Sequence, residues 1–138
     1  MLVTLVLSTL AAGRAAAEVG EGAPALVTVT RHGGLCVSGS ECRSVLRITD
    51  SSIVAAGYVT RPLARAERAA LLTAIARLDL AALRRHPFTG TCPTASDGTE
   101  SVYRFRGFAY PLAACTYDLR GVAAVQLTER LLSTLRPR

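Results

Sequence analysis

The chain has 138 residues, 16 of them basic and 10 acidic, for a formal charge of +6. Half of the residues are hydrophobic, which excludes disorder for the whole chain, and the length suits one domain rather than two large ones. Every basic residue is Arg: the sequence contains no Lys, and no Asn or Trp either.

Residues 2–12 form an almost unbroken apolar run that ends at Gly13, Arg14 and three alanines, Ala15, Ala16 and Ala17. A bilayer crossing takes ~20 apolar residues, so the run is too short to span one. It fits the hydrophobic region of a secretory signal, and Ala15 and Ala17 fit the cleavage site, although no basic residue precedes the run. The expectation is a signal peptide over residues 1–17 and a single disulfide-braced domain over residues 18–138. The alternative for the run is a buried helix or a first strand. Cleavage removes Arg14 alone among the charged residues, leaving +5 and no transmembrane anchor. The expected location is secreted, or periplasmic and exterior to the cell membrane.

Beyond the leader, residues 25–30 alternate large apolar and Thr side chains, the period of a half-buried strand. Gly33 and Gly34 interrupt it, residues 36–42 read as a turn, and residues 43–49 alternate again. A turn at residues 50–52 leads to a third strand over residues 53–60, with Gly57 near its middle. Short connections make an antiparallel meander the simplest topology. Pro62 then opens the main helix, with Thr60 or Arg61 at the cap and strong helix formers over residues 64–78. Leu71, Leu72, Ile75 and Leu78 share its apolar side. A continuation over residues 79–83 ends by His86, because a residue preceding Pro avoids helical angles. Residues 100–105 and 108–117 form a hairpin around Arg106 and Gly107, and Pro111 places the second strand at an edge or interrupts it. Gly121 precedes a last helix over residues 122–135. The expected fold class is α+β: an antiparallel sheet of about five strands, one main helix on a face, and a C-terminal helix.

Cys36, Cys42, Cys92 and Cys115 allow three pairings, and an even count in an exported chain reads as disulfides. We favour Cys36–Cys42 and Cys92–Cys115. The two stapled loops are candidate binding segments: Val37, Ser38, Gly39, Ser40 and Glu41 in one, and Pro93, Thr94, Ala95, Ser96 and Asp97 in the other. A braced loop presents a preorganised backbone and lowers the ordering cost of binding. A zinc set of His32, Cys36 and Cys42 lacks the tight Cys-x-x-Cys spacing, so neither metal nor cofactor is expected.

Catalytic patterns are sparse. The histidines are His32 and His86 alone. A triad would have to recruit Ser38, Ser40, Ser51 or Ser52 with Asp50, and no Gly-x-Ser-x-Gly elbow is present. Glu100, Arg104 and Arg106 suit a small ribonuclease, yet no His follows residue 86 to complete the set. The acids are too dispersed for a glycosidase pair, and Arg31, His32, Gly33 and Gly34 make a turn rather than a phosphate cradle. The arginines are spread along the chain, and exclusive use of Arg with 23 Ala has the look of codon bias in a GC-rich genome. No specific nucleic acid is therefore expected.

The order strand, Gly-Gly turn, strand, helix, hairpin and Leu-rich terminal helix resembles the emfourin group of small metalloprotease inhibitors. The residues that carry it are Val27 to Gly34, Leu71 to Leu83, Val102 to Phe105, and Leu127 to Leu135. Residues 91–96 look like a segment of the subtilisin-inhibitor type of secreted bacterial protein. Neither likeness assigns a reactive-site residue here. The function expected is a secreted, non-catalytic protein-binding module whose partner is a protein, in its sharpest form a protease. The alternative is a small secreted hydrolase using His32 or His86.

Overall fold

The computed structural model describes residues 24–34 and 42–138. Its elements in chain order are β1 (Val27–Gly33), β2 (Arg43–Ile48), β3 (Ser52–Ala55), β4 (Arg61–Pro62), α1 (Arg65–Ala76), α2 (Leu80–Arg85), a 3-10 turn (Pro93–Ser96), β5 (Thr99–Phe105), β6 (Leu112–Ala113) and α3 (Ala123–Leu132). The expected signal peptide, residues 1–17, lies outside the described residues, as do Cys36 and the loop from Val37 to Glu41.

Side-chain alternation organises the sheet. Val27 and Val29 are buried, while Thr28 and Thr30 are only half-buried. Antiparallel register carries this parity across the sheet. Val27 lies opposite Ile48 and Phe105, and Val29 opposite Leu46 and Tyr103. Ile48 in turn faces Ile53, Leu46 faces Ala55, and Tyr103 faces Leu112. Two apolar rows thus cross one face, and Leu71 and Ile75 of α1 with Ala124, Val125, Leu131 and Leu132 of α3 complete the core. The other face shows Arg43, Val45 and Arg104 to solvent.

The strand order is β4-β3-β2-β1-β5-β6, every pair antiparallel. The first three strands form the expected meander, and β4 extends it by a strand that was not expected. After α1 and α2 the chain returns on the far side of β1, so β5 completes the middle of the sheet. The fold is α+β with six strands rather than about five. β3 and the added strand β4 are short because local chemistry ends them. The third strand stops at Ala55, where Gly57 has φ 79° and the Tyr58 N–H turns back to the Ala55 carbonyl at 3.2 Å. Pro62 was expected inside the first helical turn, but it pairs with Ser52 in the edge strand β4, where its missing N–H costs no ladder bond. The helix begins only at Arg65. Glu67 sets that start, its carboxylate accepting the Ala64 N–H at 2.9 Å and both guanidinium arms of Arg61.

Two polar ties hold the layers. Arg31 has the parity of the core face, and its guanidinium meets Glu129 of α3 at 2.6 Å, where the Tyr103 hydroxyl also donates at 2.8 Å. Burial pushes the Tyr103 hydroxyl above its ordinary value, and the bond to Glu129 adds to the effect. In the second tie, Asp50 accepts Arg106 and Arg68 at 2.8 and 2.6 Å, fastening the β2–β3 turn to α1 and to the end of β5. Those two guanidinium groups, Arg106 first, hold its carboxyl at about 2.

Candidate functional site

Two places gather chemistry, and both depend on one stretch of paired chain. Asp79 caps α2 by accepting the Ala81 N–H at 2.8 Å. The helix ends at His86 because Pro87 follows. From there the chain pairs with residues 116–118: the Asp118 N–H donates to the His86 carbonyl at 2.8 Å, and the Phe88 N–H to Thr116 at 3.1 Å. This brings the entrance of α3 against α2 at one end and Cys92 against Cys115 at the other.

The first place is an open groove of ≈ 500 Å³ between α1, α2 and the first turn of α3. Its walls are mostly apolar, from Ala74, Leu78, Ala82, Val122 and Ala124, with Arg77 and His86 on the rim. Asp118 also lies there, but Arg120 grips its carboxylate at 2.6 and 2.8 Å and holds it at about 2. Arg120 thus occupies both oxygens of Asp118.

The second place is the corner where β1, β5 and the chain after β6 meet. Register sets His32 opposite Glu100, and the His32 Nε2 lies 3.0 Å from a Glu100 oxygen. The other Glu100 oxygen accepts the Cys115 N–H at 3.2 Å. The Cys92–Cys115 disulfide, with Cα atoms 5.3 Å apart, closes the corner. Close backbone approach fixes it further: a Cβ on Gly33 would stand 2.6 Å from the Gly98 carbonyl oxygen, and φ at Gly33 is 90°. No larger residue fits there.

Of the two candidate binding loops, Pro93, Thr94, Ala95, Ser96 and Asp97 are all exposed beside this corner. Residues 93–96 wind as a 3-10 turn and Asp97 adopts a left-handed φ of 57°. Val37, Ser38, Gly39, Ser40 and Glu41 lie outside the described residues, and so does the partner half of the Cys36–Cys42 pairing. Among the described residues, Asp50 is held by Arg68 and Arg106 while the Ser52 hydroxyl turns to Thr49 at 3.0 Å; Ser38 and Ser40 lie outside them. His32 points to Glu100 of the neighbouring strand, so the histidine that no later residue supplies to Glu100 comes from β1. That pairing is non-local, and only the strand order reveals it.

Compared with family models, with curated protein sequences and with solved structures, the chain matches none of them. No helix among the described residues is long and apolar enough to cross a membrane.

Proposed function

We propose that the protein is an exported, non-catalytic binding module that takes an apolar segment of a partner protein into the groove between α1, α2 and α3. The observation that carries this reading is the groove itself. It is concave and apolar-walled, with Arg77, Asp79, His86 and Asp118 as its polar groups. Binding sites combine such walls with a few polar groups that fix orientation. Export is supported by the disulfide, which persists in oxidising compartments. Protease inhibition, in keeping with the emfourin resemblance, is the sharper version. Substrate-like inhibition calls for an extended segment, whereas residues 93–96 form a 3-10 turn, so of the described segments the groove suits inhibition better.

Affinity capture from the native secretome tests the reading, comparing the chain with its Ala82→Arg variant. A protein retained by the first and lost by the second, with the variant still folded by circular dichroism, supports the groove. Equal retention by both refutes it.

A second reading rests on the His32–Glu100 pair. It shares the open face with Arg43, which lies opposite His32, and with Arg104. An acid–base pair with Arg43 across the register suits metal-independent cleavage of an RNA phosphodiester. Release of fragments from a structured RNA by the chain, but not by His32→Ala, would establish it; an uncut RNA removes it.

A further inference from the structure

The corner beside the 3-10 turn brings three ligand atoms, one each from Cys92, Glu100 and Cys115, within 4.8 Å of one another. His32 lies one contact further, 3.0 Å from Glu100. We propose that the Cys92–Cys115 bond gates a zinc site: when it is reduced, Cys92, Cys115, Glu100 and His32 together bind one Zn²⁺. This goes beyond both functional readings and depends on neither.

Two thiolates, an imidazole and a carboxylate oxygen are a tetrahedral zinc set. At ordinary Zn–S distances the two sulfurs of such a set stand about 3.8 Å apart. Rotation of the two side chains can provide that separation once the bond is gone, since the Cα atoms are already 5.3 Å apart. The other ligands are placed in advance by backbone pairing. His32 and Glu100 are register partners next to the ends of the two central strands, and the Cys115 N–H keeps one Glu100 oxygen as a supporting acceptor. The second Glu100 oxygen and His32 Nε2, now facing one another, would exchange their mutual contact for the metal. His32 is 44% exposed, which gives the ion a way in.

The chemistry balances. A dithiol reductant delivers two electrons and two protons to the S–S bond and leaves as its own disulfide. The two cysteine thiols then release their protons to water as Zn²⁺ takes the thiolates. In an oxidising compartment the corner is a cystine, and in a reducing one it is a metal site.

Cobalt reports on such a site directly. The full chain carrying Cys36→Ser and Cys42→Ser is reduced with a phosphine, which takes its oxygen from water, and is titrated with Co²⁺ and then Zn²⁺. Thiolate-to-cobalt charge-transfer bands at one equivalent, bleached by Zn²⁺, are expected, with no bands from the oxidised chain. His32→Ala and Glu100→Gln should each weaken binding by at least about 10-fold. Cys92→Ser should weaken it more. Three results would overturn the proposal: no binding by the reduced chain, unchanged affinity in the His32 and Glu100 variants, or loss of the fold on reduction by circular dichroism. If the double serine background does not fold, the reduced wild-type chain supports the same comparison: His32→Ala should weaken its cobalt titration by at least the same factor of about 10.

Discussion

Along β1 the side chains at positions 27 and 29 enter the core, and those at 28, 30 and 32 lie on the opposite face; the neighbouring strands repeat that parity. The covered face tolerates charge only where it is bonded at once, as Arg31 is by Glu129. The other face leaves Arg43 and Arg104 exposed and sets His32 beside Glu100. A side chain facing α1 and α3 contributes by filling space, because removing it leaves a cavity that the packed helices cannot close. An exposed side chain on the other face, such as Val45, contributes little to stability, since water replaces whatever it touched. Stability and chemistry are thus carried by alternate residues of the same strands.

The largest effect expected from breaking this contrast is on the covered side. Leu71→Ala should cost about 2–5 kcal/mol in denaturant unfolding. Val45→Ala, on the open face, should stay within about 0.5 kcal/mol. Comparable losses would mean that something covers the open face too. Next comes the staple. Cys92→Ser with Cys115→Ser should cost about 3 kcal/mol, because a loop of 23 residues regains its freedom in the unfolded chain. Thermal unfolding of the double variant under oxidising conditions measures this.

A smaller loss, about 1 kcal/mol, is expected for Glu129→Gln, which weakens the bonds from Arg31 and Tyr103 in a half-exposed setting. Tyr103→Phe should reproduce part of it, and a double-mutant cycle would give their coupling. The pH dependence is gentler still. Arg61 and the Ala64 N–H hold Glu67 at about 2, against an ordinary 4.5. A folded value below the unfolded one means that the unfolded chain binds more protons in acid. The stability from Glu67 is therefore complete above its unfolded value and is lost as pH falls from about 4.5 toward 2. Asp50, also held at about 2, acts in the same direction. Urea midpoints measured across this range should decline, and Glu67→Gln should decline less steeply.

Much of the local structure was legible in advance. Period-two patterning announced β1 and β2, and helix formers announced α1. The pairing Cys92–Cys115 was the favoured choice and is the one formed. Pro62 misled, because the same ring suits a first helical turn and an edge strand, and the choice fell to Ser52, its strand partner. The candidate site was less legible. The 3-10 turn at Pro93–Ser96 lies where a stapled loop was expected. The groove and the His32–Glu100 pair were not foreseen, since each joins segments far apart in the chain.

The sequence by itself determined the class of fold, because hydrophobic period and turn chemistry are local properties that each segment carries alone. It also held the Cys92–Cys115 pairing among a few choices. Which strand fills the space beside β1 was decided only in three dimensions. The return of β5 after α1 and α2 buries Tyr103 and Phe105 against Val29 and Val27. That burial is shared between distant segments and belongs to neither alone. The same return brought Glu100 to His32 and closed the corner around the cystine.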